Sequence, residues 1–152
     1  MQLVLGWFIG AVLVAATVWI HATAIRRIRF HWRRHHGGVA RHIGALFIAH
    51  LFEVGVFAVG MYLTATQLQI GSLIGATVLD FHGYLYFSMA TYTSLGLGDI
   101  YPTGELRLLT GLEVLTGLLM IGWSASFLFV EMHVHEEHDN HQIKQDQSED
   151  NR

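Results

Sequence analysis

Three long apolar segments, separated by polar or glycine-rich stretches, dominate the chain. The first, Leu3–Ala24, has 22 residues without a formal charge, and the others cover Ile43–Gln67 and Leu106–Val130. A helix needs about 20 predominantly apolar residues to cross the hydrocarbon layer of a bilayer. The pattern therefore predicts an all-α membrane protein with three transmembrane helices.

The composition favours a membrane protein over a soluble globule. Apolar residues make up 52% of the 152 positions and charged residues only 14%, whereas soluble domains carry about 25% charged residues. Cysteine is absent, so disulfides and thiolate chemistry are excluded. The net charge of −3 does not favour nucleic-acid binding. No side-chain arrangement typical of a hydrolase stands out, so we do not expect an enzyme.

The first apolar segment has an alternative interpretation as a signal peptide, because Ala22-Thr23-Ala24 is similar to a cleavage site. Signal peptides carry positive charge before the apolar run, whereas the arginines here follow it. We therefore predict that residues 1–24 form a retained helix. We expect it to lie outside the second helix, against lipid, and we assign no conduction chemistry to it.

Residues 25–42 hold six of the nine basic residues and are predicted to form a loop. Basic loops of membrane proteins stay in the cytoplasm. This predicts an N-terminus outside the cell, an external segment between the second and third helices, and a cytoplasmic C-terminus. The same charges, from Arg26 to Arg41, also suit the headgroups of anionic lipids.

The segment between the second and third helices combines a short helix with a glycine-containing loop. Residues 80–92 can form a helix of about 20 Å, which is too short to cross the bilayer and would re-enter it. Irregular backbone at this depth must be buried in protein or line water. In residues 93–99, alternating glycines permit backbone conformations that point successive carbonyls in one direction. A ring of such carbonyls can replace the water around a cation.

This loop resembles the selectivity filter of potassium channels, whose signature is Thr-Val-Gly-Tyr-Gly-Asp. The candidate ion-binding residues are Thr93, Ser94, Leu95, Gly96, Leu97, Gly98 and Asp99. The resemblance covers about residues 80–131 and is similar to the two-span "ion channel" pore module. It implies a pore domain at 43–131, with 43–67 as outer helix, 80–92 as pore helix and 106–130 as inner helix.

The resemblance also implies how the protein works. Four chains would surround one axis as a homotetramer, which conducts cations passively across the bilayer. Potassium is the expected ion, bound in the filter as the transported species, and no organic cofactor is expected. The expected location is the plasma (inner) membrane of a prokaryote.

Other residues match positions that support the filter in this family. Tyr86 and Phe87 fall where the pore helix carries an aromatic cuff. Gly117 falls at the glycine hinge of the inner helix. The alternative role for Gly117 is close packing between helices, which small residues permit.

Three departures from the family pattern matter for selectivity. Leu97 replaces the filter tyrosine and cannot donate its hydrogen bond, so a weakly selective sodium/potassium channel is an alternative. Ser94 replaces threonine but keeps the hydroxyl ligand. Ala90 stands where some members have a glutamate that pairs with the filter aspartate, here Asp99. Glu113 either takes over that pairing or is protonated and bonded to a neighbouring chain.

His50 and Glu53 lie three residues apart, on one face of the second helix and near the middle of the membrane. Such a pair either satisfies its own polarity against a neighbouring helix or forms a site that senses protons or metals.

The polar tail, residues 132–152, is predicted to be disordered. Its histidines are either solvated or candidate metal ligands. They are His133, His135, His138 and His141. A membrane metal or haem protein that uses His21, His50 and the tail is a further alternative, as is a scaffold that conducts nothing.

Overall fold

The computed structural model describes residues 1–32, 39–75 and 80–150, with side chains described for 1–30, 40–75 and 80–133. The helices are α1 (Gln2–Trp32), α2 (Val39–Leu63, continued by a π-helical turn over Thr64–Leu68), α3 (Phe81–Tyr92) and α4 (Leu106–Asp150). Two short strands are β1 (Leu73–Gly75) and β2 (Ile100–Pro102). Three segments, Gln2–Phe30, Ala40–Leu68 and Leu106–His133, are long and apolar enough to cross a membrane. The predicted all-α fold with three transmembrane helices and a short intervening helix is confirmed.

Helix α1 packs against both α2 and α4, rather than against α2 alone. Its Leu13 lies in an apolar core with Phe57 of α2 and Leu109 of α4. The approach to α4 is close, since a β-carbon on Gly10 would lie 2.4 Å from Leu112 Cδ1. The expectation that this helix simply lies outside the outer helix is therefore too narrow, because it shares the core of the helix bundle.

Contacts at the two ends of α1 define the relative directions of the long helices. Gly6, near the start of α1, lies against Glu105, which immediately precedes α4. At the other end, Arg29 Nε lies 3.6 Å from Glu131 Oε1 of α4. Helices α1 and α4 therefore run parallel to each other, and α2 runs antiparallel to both.

The basic segment is mainly helical, contrary to the predicted loop over 25–42. Helix α1 continues to Trp32 and α2 begins at Val39, and residues 33–38 lie outside the described part. The Arg26 side chain folds back along its own helix and donates to the Ala22 carbonyl at 3.2 Å. Arginine is a good helix former, and the first glycine after the apolar run is Gly37.

Helix α4 continues to Asp150, whereas the sequence predicted disorder over 132–152. The physical reason is local, because 123–150 contains neither glycine nor proline and is rich in helix-forming glutamate and glutamine. The side chains of His135, His138 and His141 lie outside the described residues, so the metal-binding hypothesis for the tail stays a prediction.

A two-stranded antiparallel ribbon fastens the chain on either side of α3. Strands β1 and β2 pair with Ile74 opposite Tyr101. The ribbon is extended by a 2.8 Å bond from the Thr103 amide to the Ser72 carbonyl. Gly104 has φ +54°, and a β-carbon there would lie 2.4 Å from the Ile70 carbonyl oxygen. The ribbon thus holds the residues after 93–99 beside the end of α2.

Candidate ion-conduction site

Helix α3 is held at its start by Asp80, whose carboxylate accepts a 3.2 Å hydrogen bond from the Gly83 amide. That bond lowers the pKa of Asp80 below its ordinary value. With 12 residues, α3 is about 18 Å long and too short to cross a bilayer. Its carbonyl end, which carries the negative end of the helix dipole, leads directly into residues 93–99.

In the backbone after α3, residues with positive φ alternate with residues that do not have positive φ. Ser94, Gly96 and Gly98 have φ of +59°, +53° and +81°, whereas the leucines between them do not have positive φ. Glycine adopts positive φ without steric cost, which explains its use at the last two positions. Alternation of this kind turns successive peptide planes so that their carbonyls face the same side.

The amides of this loop turn back to the end of α3. Ser94 N donates to the Thr91 carbonyl at 2.9 Å, and Leu95 N donates to the Ala90 carbonyl at 2.8 Å. Gly96 N also donates to Ala90, at 3.3 Å. In a trans peptide the carbonyl points opposite to the amide hydrogen. The carbonyls of the residues preceding these amides, 93 to 95, therefore point away from α3.

The outer end of the loop is anchored to α3 by Tyr86. Its hydroxyl donates a 2.9 Å hydrogen bond to Asp99 Oδ2. The bond to this carboxylate raises the pKa of Tyr86. The neighbouring Phe87 does not share this contact and is buried in the apolar core with Leu73 and Leu106. Of the two aromatic residues singled out in the sequence, Tyr86 is the one that contacts residues 93–99.

Glu113 lies fully buried behind α3, where it pairs with Ser88 and not with Asp99. The Ser88 hydroxyl also donates to the Val54 carbonyl at 2.8 Å. A hydroxyl has one proton and a carbonyl only accepts. Both contacts are satisfied together when Glu113 is protonated and donates to Ser88 Oγ. The donor count therefore favours a protonated Glu113, but its partner here is Ser88 of the same chain, and a bond to a neighbouring chain stays a prediction.

Gly117 lies where α4 crosses the end of α3. A β-carbon at this position would lie 2.1 Å from the Tyr92 carbonyl oxygen, so the contact accepts only glycine without movement. Helix α4 is continuous through the position. A specific contact with Tyr92 thus supports a packing role for Gly117. Its role as a gating hinge stays a prediction.

His50 and Glu53 are joined by His21 from α1, which the sequence analysis linked with His50 in the metal or haem alternative but not with Glu53. His21 Nδ1 lies 2.9 Å from Glu53 Oε1, and His50 Nδ1 lies 3.2 Å from Glu53 Oε2. Tyr92, the last residue of α3, donates its hydroxyl to the same carboxylate. The first helix therefore contacts this cluster through His21, whose Nε2 also lies 3.3 Å from Ser124 Oγ. The sequence signal for this contact was a histidine, His21, inside an apolar span. Its partner Glu53 lies 32 residues away along the chain.

The helices, the ribbon and the loop define a membrane protein with three long apolar helices and a short helix between the last two. The family model described as "Ion channel" matches residues 49–133, which is more than half of the chain. The chain belongs to this ion channel family. No match was found among curated proteins or among solved structures.

Proposed function

We propose that the protein is a passive, potassium-selective channel whose ions move along the backbone of residues 93–99. The observation that carries this proposal is the alternating positive φ at Ser94, Gly96 and Gly98, combined with amides that turn back to α3. Together they place a row of carbonyls on the side of the loop that faces away from the protein core. Such carbonyls replace the hydration shell of a cation.

The proposed ligands are the carbonyls from Thr93 to Leu97 and the hydroxyl of Ser94, with Gly98 and Asp99 framing the outer mouth. Potassium is the ion we assign, because both glycines and the hydroxyl of the signature are kept. Leu97 cannot make the tyrosine hydrogen bond of the family. In its place, the bond between Tyr86 and Asp99 provides a fixed link between loop and pore helix.

The functional unit we propose is a homotetramer, because one loop cannot surround an ion. In the single chain, Leu95 and Leu97 are 64% and 59% exposed. Four copies around one axis would cover these side chains and close a ring of carbonyls.

We propose that the protein lies in the plasma membrane of a prokaryote with its N-terminus outside. The charges that support this orientation lie at the end of α1 and the start of α2. Arg26, Arg27 and Arg41 also line an open cleft of about 760 Å³. We propose the phosphate of an anionic lipid as its ligand, because three arginine residues line it.

The test is ion flux into liposomes that contain the purified protein, under potassium and then sodium gradients. Potassium flux without sodium flux is the expected result. Equal flux would replace potassium selectivity with the weakly selective alternative. The absence of flux in both gradients, across a series of pH values and metals, would overturn the channel and favour the metal-binding, haem-binding or scaffold alternatives.

A further inference from the structure

A buried polar cluster connects all three long helices with the end of α3. At its centre, the Glu53 carboxylate is contacted through one oxygen by His21 Nδ1 and through the other by His50 Nδ1. His21 and Glu53 are fully buried, and His50 is 19% exposed. One ligand atom from each of the three residues lies within 4.8 Å of the other two.

We propose that His21, His50 and Glu53 bind a divalent transition-metal ion of the zinc class. Two imidazole nitrogens and one carboxylate oxygen form a ligand set that zinc-binding sites use. Calcium and magnesium prefer sites built from oxygen alone, so this donor set selects against them. A divalent ion would also compensate the negative charge of a carboxylate buried at membrane depth.

Ser124 of α4 occupies the position of an outer partner for both histidines. Its Oγ lies 3.0 Å from His50 Nε2 and 3.3 Å from His21 Nε2. A histidine that binds metal through Nδ1 carries its proton on Nε2, and this proton needs an acceptor. The two lone pairs of one hydroxyl can accept both protons. The hydrogen bonds thus fix both rings with Nδ1 directed to the same carboxylate.

A cleft and a further hydroxyl group are also present at the cluster. His50 and Tyr92 line an open cleft of about 510 Å³, which also reaches Thr93 of the loop. The cluster is therefore open to this cleft on the side of His50. The Tyr92 hydroxyl lies 2.9 Å from His50 Nδ1. Zinc sites with three protein ligands take water as the fourth ligand.

Metal binding would act on the proposed channel through Tyr92. In the structure its hydroxyl donates to Glu53, and an ion on Glu53 and His50 competes with that bond. Tyr92 directly precedes Thr93, and its carbonyl lies against Gly117. We therefore expect zinc to change the conductance. This consequence rests on the proposed function, whereas metal binding itself does not.

The binding experiment uses the full chain with the four tail histidines changed to glutamine, which removes the competing imidazoles of the tail. These changes are His133→Gln, His135→Gln, His138→Gln and His141→Gln. Titration with zinc or cobalt is expected to give one ion per chain. In this background, Ser124→Ala should weaken binding by about 10–100-fold, as outer partners of ligating histidines do. His21→Gln should weaken it further, and His82→Gln, which changes an exposed histidine, should leave it unchanged.

Zinc X-ray absorption spectroscopy of the same protein keeps the proposal falsifiable if His21→Gln fails to fold. Two imidazole ligands with oxygen ligands are the expected shell, and a shell without imidazole would overturn the site. No bound metal, or full affinity in folded His21→Gln, would also overturn it. A protein that binds zinc but shows no ion flux would retain the metal site and lose the channel.

Discussion

The hydroxyl of Tyr86 lies 2.9 Å from Asp99 Oδ2 and ties the middle of α3 to the outer end of the filter segment. Because Leu97 has no polar group, this bond is a support for the outer part of the proposed filter. We expect Tyr86→Phe to lower the permeability ratio of potassium over sodium, measured by flux in liposomes. Tyr101→Phe, at an exposed tyrosine of β2, is the matched control. An unchanged ratio in Tyr86→Phe would show that the bond does not support selectivity.

The cap of α3 predicts a specific dependence of stability on pH. The hydrogen bond from the Gly83 amide lowers the pKa of Asp80. The hydrogen bond therefore contributes its full stabilisation above the ordinary aspartate pKa of about 4. This stabilisation is lost as the pH falls through the lowered pKa of Asp80. Asp80→Asn keeps a capping oxygen but does not titrate.

We therefore expect the difference in melting temperature between the wild-type protein and Asp80→Asn to be constant at neutral pH. Below about pH 4 the wild-type protein should lose stability relative to the variant. A constant difference through this range would mean that the cap does not contribute through its charge.

Local sequence patterns were sufficient to predict the fold class. The three spans follow from runs of apolar residues, and the glycine spacing at Gly96 and Gly98 marked the segment where positive φ occurs. The ends of the helices were less predictable, because clustered arginines indicate a loop by charge but a helix by propensity.

Contacts between distant residues could not be predicted from the chain alone. His21 and Glu53 lie on different helices, and nothing local in either sequence window specifies their pairing. The same holds for Glu113, where the predicted alternative partner was Asp99 and the structure provides Ser88. Such pairs depend on which faces of the helices are in contact, and this is set by the packing of the whole core.

Gly96 supports a prediction about backbone conformation. A β-carbon there would meet no atom within 4 Å, so the strain of Gly96→Ala comes from φ +53° alone. Left-handed backbone costs an L-residue about 1–2 kcal/mol, and in a tetramer the cost occurs four times. We expect the potassium flux to be strongly reduced. Gly44→Ala, also in open space but within α2, should conduct normally, and normal flux in Gly96→Ala would contradict the assigned filter.

Ser88 supports a prediction about the buried carboxyl group of Glu113. Ser88→Ala leaves Glu113 without its partner in the described part of the chain, which should cost about 1–3 kcal/mol in the free energy of unfolding. The double variant Ser88→Ala/Glu113→Leu removes both polar groups and should recover part of this loss. Chemical unfolding measures both effects, and a double variant no more stable than Ser88→Ala would argue against the pairing.

Gly117 distinguishes a packing role from a hinge role on the same helix. In Gly117→Ala the new β-carbon would lie 2.1 Å from the Tyr92 carbonyl oxygen, so α4 must move away from the end of α3. Gly122→Ala is the matched control, since a β-carbon there meets nothing within 4 Å. We expect Gly117→Ala to lower the melting temperature and Gly122→Ala to leave it unchanged or higher. Equal melting temperatures with reduced opening in Gly117→Ala would instead assign the glycine to the hinge, because alanine stiffens a helix without breaking it.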